Sequence, residues 1–155
     1  MIIKQQTELS LEDKEQVFKL WNHEYPEKLQ HKTIKDFDDY LNSLTQQVHY
    51  LLLNGDSKIE GWVTTFVRED EKWFAIILSE KLHGKGLGTQ MLNKLKENED
   101  ALNGWVIDQN SDRKLNGSLY QSPLEFYQKN NFQVIPEIRL ETISAVKIRW
   151  KKSNG

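Results

Sequence analysis

Residues 73–96 decide the fold: Trp73-Phe74-Ala75-Ile76-Ile77-Leu78, then Ser79-Glu80-Lys81-Leu82-His83, then Gly84-Lys85-Gly86-Leu87-Gly88-Thr89, then Gln90-Met91-Leu92-Asn93-Lys94-Leu95-Lys96. The apolar run has the length of a buried strand, and Leu87, Met91, Leu92 and Leu95 recur at helical spacing. Gly84, Gly86 and Gly88 fall where the second element begins, so the stretch reads strand, glycine loop, helix. Glycine tolerates dihedrals that other residues avoid. The first amides of a helix have no intrahelical partner and lie at the positive end of its dipole. Such a junction serves either as a tight turn or as a phosphate cradle.

Two common phosphate motifs do not fit. A nucleotide P-loop ends in Gly-Lys followed by Ser or Thr, whereas Lys85 is followed by Gly86. A dinucleotide fingerprint spaces its glycines G-x-G-x-x-G, and here the spacing is G-x-G-x-G. The run His83-Gly84-Lys85-Gly86-Leu87-Gly88, with Thr89 continuing the helix, resembles the pyrophosphate loop of the GNAT superfamily of acyl-CoA-dependent N-acyltransferases. His83 stands where that loop usually has Arg or Gln, which leaves a main-chain cradle intact. A second run, Phe126-Tyr127-Gln128-Lys129-Asn130-Asn131-Phe132, resembles the family's Phe/Leu-Tyr-x-Lys-x-Gly-Phe segment. Asn131 replaces the customary glycine and can take the same left-handed cap. Tyr120 and Pro123 stand where the family more often has Asn and Ala.

Length and composition bound the rest. The 155 residues suit one domain, 1–155, and 37% hydrophobic with 28% charged residues suits a soluble globular chain. With no cysteine there is no disulfide, thiolate metal site or cysteine nucleophile, and no metal is expected. The first residues lack a signal peptide's apolar region and no run approaches the roughly 18 residues of a membrane span, which predicts a cytoplasmic protein without membrane contact. A net charge of −2 offers no basic footprint for nucleic acid. The basic tail 147–152 alternates with apolar residues and reads as a strand with one solvated face.

In chain order, Ile2 and Ile3 start a strand. Ser10 with Asp13 caps a helix carrying Val17, Leu20 and Trp21, which stops before Pro26. Thr33 with Asp36 starts a second helix with Ile34, Phe37, Leu41 and Leu44 on one side. Trp21, His23, Tyr25 and His31 are either core and rim residues or the lining of an acceptor pocket. An antiparallel meander follows over 48–53, 59–67 and 73–78, with turns at 54–56 and 68–71. Gly104 to Asp108 is a strand, and 109–117 a mobile polar loop. Ser122 as N-cap, Pro123 at the first helical position and Glu125 predict a helix that stops at Asn130-Asn131. A strand pair with its turn near 142–144 finishes the chain. This order matches the family's α/β (α+β) domain: a mostly antiparallel mixed sheet, splayed between strands four and five and flanked by about four helices.

The resemblance implies an N-acetyltransferase that moves an acetyl group from acetyl-CoA to a primary amine of a small molecule or peptide, by direct attack through a tetrahedral intermediate. In that reading the pantetheine arm pairs with backbone groups of Ile76 and Leu78, an amide near Leu78 serves the oxyanion, and His83 to Thr89 (His83, Gly84, Lys85, Gly86, Leu87, Gly88, Thr89) hold the diphosphate. Asn110 is a candidate partner for the pantetheine amide, and Lys85 and Lys129 for the phosphates. Tyr127 maps to the proton donor for the departing thiolate; a phenol with pKa about 10 is protonated at neutral pH. An acceptor amine with pKa near 10.4 must lose a proton, and Glu71 is the candidate general base among the acids beside the fourth strand. A longer acyl donor, or a CoA-binding sensor without catalysis, is the competing reading on the same fold. Family members are often dimers, so the resemblance admits a homodimer.

Overall fold

Each expected element forms, and the turns between them follow from local chemistry. The computed structural model describes residues 1–153. Strand β1 is Ile2–Gln6 and helix α1 is Leu11–Glu24, whose N-cap Ser10 Oγ accepts from the Asp13 amide at 3.1 Å. Helix α2, Ile34–Asn42, is capped in the same way by Thr33. Then come β2 (Thr45–Leu53), β3 (Ile59–Arg68) and β4 (Glu71–Leu78). A 3₁₀ turn, Glu80–Leu82, leads into α3 (Leu87–Lys96), followed by β5 (Ala101–Ile107), α4 (Leu124–Lys129), β6 (Gln133–Leu140) and β7 (Ala145–Lys151).

The seven strands form one sheet in the order β1-β2-β3-β4-β5-β7-β6. All pairings are antiparallel except β4 with β5, which run parallel and register only at Trp73 with Asn103. The mixed, splayed sheet expected from the sequence is therefore present. Alternation along the strands divides the core in two. On one face Val17, Trp21 and Phe37 from α1 and α2 pack on Trp62, Phe66 and Ile77. On the other, Met91, Leu92 and Tyr127 from α3 and α4 pack on Val63, Phe74 and Leu102. No helix among the described residues is long and apolar enough to cross a membrane.

Three local expectations change. β5 begins at Ala101 rather than Gly104. The cap of α4 is Pro123, not Ser122; the Ser122 hydroxyl still accepts from the Leu124 amide at 3.3 Å while donating to the Ile107 carbonyl, which ties α4 to the end of β5. The polar segment after β5, expected to be mobile, is held by main-chain bonds. The Glu27 amide donates to the Arg113 carbonyl at 2.8 Å and the Tyr120 amide to the Asp112 carbonyl at 2.8 Å. Lys114, 8% exposed, inserts its ammonium between Glu80 at 3.1 Å and Glu24 at 3.6 Å.

A buried histidine gives the fold a pH dependence. His49 Nδ1 accepts from the Trp62 indole at 3.1 Å, and Nε2 faces the Gln47 amide oxygen at 2.7 Å, an arrangement that fits the neutral ring. Burial lowers its pKa from 6.5 to about 4. Below 6.5 the unfolded chain takes up a proton that the folded chain refuses until about pH 4. Stability present above 6.5 is therefore lost as pH falls, by about 3 kcal/mol in all. Urea unfolding measured from pH 7 to pH 4 should show this decline, and His49→Gln should flatten it.

Candidate functional site

The end of β4 is where backbone hydrogen bonding runs out. The Ser79 amide donates to the Glu60 carbonyl at 2.8 Å, and β3 and β4 pair without a register shift from Gly61–Leu78 to Arg68–Glu71. Alternation along an antiparallel ladder then turns the main-chain groups of Ala75 and Ile77 toward β3, and those of Lys72, Phe74, Ile76 and Leu78 toward β5. At Lys72 that direction is met: the Asn103 side chain donates from Nδ2 to the Lys72 carbonyl at 3.0 Å. Beyond Trp73–Asn103 no register with β5 continues, so the polar backbone of Ile76 and Leu78 faces a gap. His83 Nε2 lies 3.2 Å from the Leu78 carbonyl and folds the glycine loop against the strand end.

That gap opens into a cavity of about 560 Å³ whose walls include Ile76, Leu78, His83, Gly84, Gly86 and Tyr127. Gly84 has φ +80 and Gly86 φ +76, and a Cβ added to either would meet no atom within 4 Å. The positive φ favours glycine there, while the space beside both is open. Helix α3 starts at Leu87 with its first bond from the Gln90 amide to the Gly86 carbonyl, 3.1 Å. The amides of Leu87, Gly88 and Thr89 are left without intrahelical partners beside that space. An open, amide-lined loop at a helix N-terminus fits a diphosphate. Gly88 differs from the other two: its Cβ would lie 2.8 Å from Phe126 Cζ, so this glycine serves the packing of α3 on α4.

Tyr127 projects from α4 into the cavity wall. It is 6% exposed and touches the rings of Phe74, Phe126 and Phe132, with centroids at 5.8, 5.2 and 5.6 Å. Burial, with the nearby Tyr120 second, pushes its pKa far above 10, so the phenol keeps its proton. Asn131 at φ +70 ends α4, and the Phe132 amide returns to the Tyr127 carbonyl at 3.0 Å, which fixes the residue's backbone.

A second cavity of about 270 Å³ opens on the α1 and α2 side of the gap. It shares Tyr25, Ile76, Tyr120, Pro123 and Tyr127 with the first. Tyr25 and Tyr120 approach with ring centroids 6.5 Å apart, and burial raises the pKa of both. Three phenols thus mark the boundary between the cavities. The role of Tyr120 was not legible in the sequence; Tyr25 stood there only among general lining candidates. The signal that could have found them is the pair of tyrosines flanking the first helix's end and preceding Pro123.

Several candidates lie elsewhere. Glu71 is outside both cavities. It ion-pairs with Arg149 at 2.9 Å and Lys147 at 3.7 Å, seven residues down β4 from Leu78, about 23 Å along the strand. Its carboxylate is held in an ion-pair network rather than in either cavity wall. Asn110 Oδ1 accepts from the Ser122 amide at 2.7 Å and fastens the approach to α4, and it lines neither cavity. Lys129 faces solvent beside Glu125 at 3.5 Å, and Lys85 is exposed at the loop without lining the cavity. The carboxylate that does line the larger cavity is Glu24, unforeseen from sequence, whose Oε2 faces His23 Nδ1 at 2.9 Å and accepts from the Glu80 amide at 3.2 Å.

Residues 14–110 match the model of the Acetyltransferase (GNAT) family. The chain belongs to this family. The match covers β4, the glycine loop and β5, and stops before Tyr127. Among solved structures, the GNAT fold recurs in an aminoglycoside 6'-N-acetyltransferase complexed with coenzyme A, 13% identical over 97% of each chain with a TM-score of 0.70. It recurs in a putative phosphinothricin N-acetyltransferase, 14% identical over 99% of this chain and 100% of that one, TM-score 0.69. It recurs again in the ribosomal-protein-S18-alanine N-acetyltransferase from Escherichia coli, 15% identical over 99% and 96%, TM-score 0.63. No curated protein matches the chain in sequence.

The glycines make separable predictions. Gly88→Ala drives a methyl into Phe126 and should cost roughly 1–3 kcal/mol in urea unfolding. Gly86→Ala meets open space and should cost about 1–2 kcal/mol through its positive φ alone.

Proposed function

We propose that this member of the GNAT family is an acetyl-CoA-dependent N-acetyltransferase acting on a primary amine of a small molecule or peptide, in the cytoplasm. The observation that carries the proposal is the inward backbone of Ile76 and Leu78, left without a β5 partner beside an open glycine loop. The presence of coenzyme A in one neighbour of the same fold agrees with it.

When bound, acetyl-CoA supplies an acyl carbon already activated as a thioester. The amides of 84–89 would hold its diphosphate, and Ile76 and Leu78 would extend β4's hydrogen bonding to the pantetheine amides in place of the missing strand. A main-chain N–H at Leu78 then lies where negative charge develops on the carbonyl oxygen. An amine entering from the aromatic cavity would add to the acyl carbon to give a tetrahedral intermediate, whose collapse would break the C–S bond while the proton lost by the amine nitrogen ends on the departing thiolate as the CoA thiol. Tyr127 donates a hydrogen bond to that sulfur. Its raised pKa suits a donor that stabilises charge better than one that gives its proton away.

Deprotonation of the amine needs no carboxylate at Glu71. The smaller cavity is lined by aromatic and aliphatic side chains and one cation, Arg68, with no Asp or Glu among its walls. Desolvation and a nearby positive charge both favour the neutral amine. The cavity therefore selects the nucleophilic form directly.

Three measurements test this. Thiol release from acetyl-CoA should proceed with an amine acceptor; CoA uptake by calorimetry with no turnover on any amine would make the chain a CoA sensor. Tyr127→Phe should lower kcat about a hundredfold while the Kd for CoA stays within about twofold. Glu71→Gln should lower stability by on the order of 1 kcal/mol and leave the acid limb of the pH–rate profile in place, whereas loss of that limb would restore Glu71 as the base.

A further inference from the structure

The walls of the smaller cavity bear on which amines enter it. Trp73, 4% exposed, forms part of the wall, and its indole N–H is buried without a hydrogen-bond partner. An unpaired buried donor is costly unless something accepts from it. Arg68 also lines this cavity, with its guanidinium 5.1 Å from the Phe66 ring and 5.2 Å from the Trp73 ring. None of the ion pairs among the described residues includes Arg68. Its field reaches Tyr40, which lines the same cavity.

The neighbouring charge has the same sign. Lys147 Nζ lies 5.3 Å from the Trp73 ring, and Lys147 and Arg149 share a single carboxylate, Glu71. Two cations, Arg68 and Lys147, thus lie over the Trp73 ring, and Arg149 Nε is a second buried donor without a partner. Two acceptors, Asn103 Oδ1 and Glu71 Oε2, are also buried without hydrogen-bond partners at this end of the gap. Glu71 Oε2 is already paired with Arg149 at 2.9 Å, and Arg68 stands outside that pairing.

We propose that this end of the cavity, where Arg68 lies against the Trp73 ring, binds an anionic group of the acceptor, a carboxylate or its equivalent, through the guanidinium, and that Arg68 sets acceptor specificity. The inference rests on the transferase reading above. It also fixes a length. The amine must reach the gap at Ile76, and Trp73 lies three residues away on the same strand, about 10 Å. The acceptor is therefore an elongated amine with its anion about 10 Å from its nitrogen, and a body apolar enough to lie against the packed pair of Trp73 and Trp105, whose ring centroids are 5.3 Å apart and which both line the cavity. A polycation such as spermidine finds no carboxylate in these walls and meets the field of Arg68, which disfavours it.

The tripeptide Gly-Phe-Gly spans about 10 Å from amine to carboxylate when extended, and its C-terminal amide removes the anion without changing the amine. Thiol release from acetyl-CoA, measured with the acid, the amide and spermidine, should give kcat/KM at least tenfold higher for the acid than for the other two. Arg68→Gln should reduce kcat/KM for the acid about tenfold, the size of one lost charge-assisted hydrogen bond, through KM more than kcat, with Arg68→Lys recovering part of it. Calorimetric CoA binding by the same samples separates the two readings. With CoA bound, equal turnover of acid and amide, preference for spermidine, or no turnover of any of the three overturns the acceptor assignment. Failure to bind CoA overturns the transferase reading itself.

Discussion

The structure depends on one constraint: β4 and β5 are held together at Trp73–Asn103 and nowhere further along. Asn103 clamps that point by donating to the Lys72 carbonyl, while Gly104 lets the Phe74 ring lie where a Cβ would come within 3.0 Å of it. Past the clamp, aromatic bulk takes over. Phe74, Tyr127 and Phe132 pack beneath the gap, and Tyr25 with Tyr120 closes it from the other side. The strands diverge because side chains occupy the space that a continued ladder would need. Backbone groups freed in this way must find partners, and a ligand with amide groups is the natural one.

The remaining elements position that gap. Helix α3 ends the glycine loop with its amides facing the cavity, and Gly88 allows α4 to press against it. Helix α4 then carries Tyr127 to the boundary. The segment after β5 crosses to the first helix through Arg113 and Lys114, and that crossing sets Tyr120 beside Tyr25. Two cavities of different character meet there: one lined by loop amides and apolar side chains, the other by aromatic and aliphatic side chains and a cation. The division suits a donor and an acceptor approaching from opposite sides.

Much of this was legible in the sequence because it is local. Capping residues, glycines and the period of the apolar residues announced the elements and their order, and Ser10, Thr33 and Asn131 act as their chemistry required. What escaped was long-range. Nothing near Glu71 announces that Lys147 and Arg149, on a strand near the chain's end, hold its carboxylate. The polar run after β5 has the composition of a mobile loop, and only the buried Lys114, placed against Glu24 and Glu80, explains why it is tied down. Gly88 looked like part of a phosphate loop because glycine has no side chain to reveal its neighbour. Its neighbour is Phe126, 38 positions later.

The most direct test of the account is the backbone amide spectrum of the ¹⁵N-labelled protein during titration with CoA. The amides of Ile76, Leu78, Gly84 and Gly86 should shift together and saturate together, while those of β1 and of Glu71 stay in place. Saturating CoA that leaves the Ile76 and Leu78 amides unmoved would contradict the claim that the open edge of β4 is the ligand's partner.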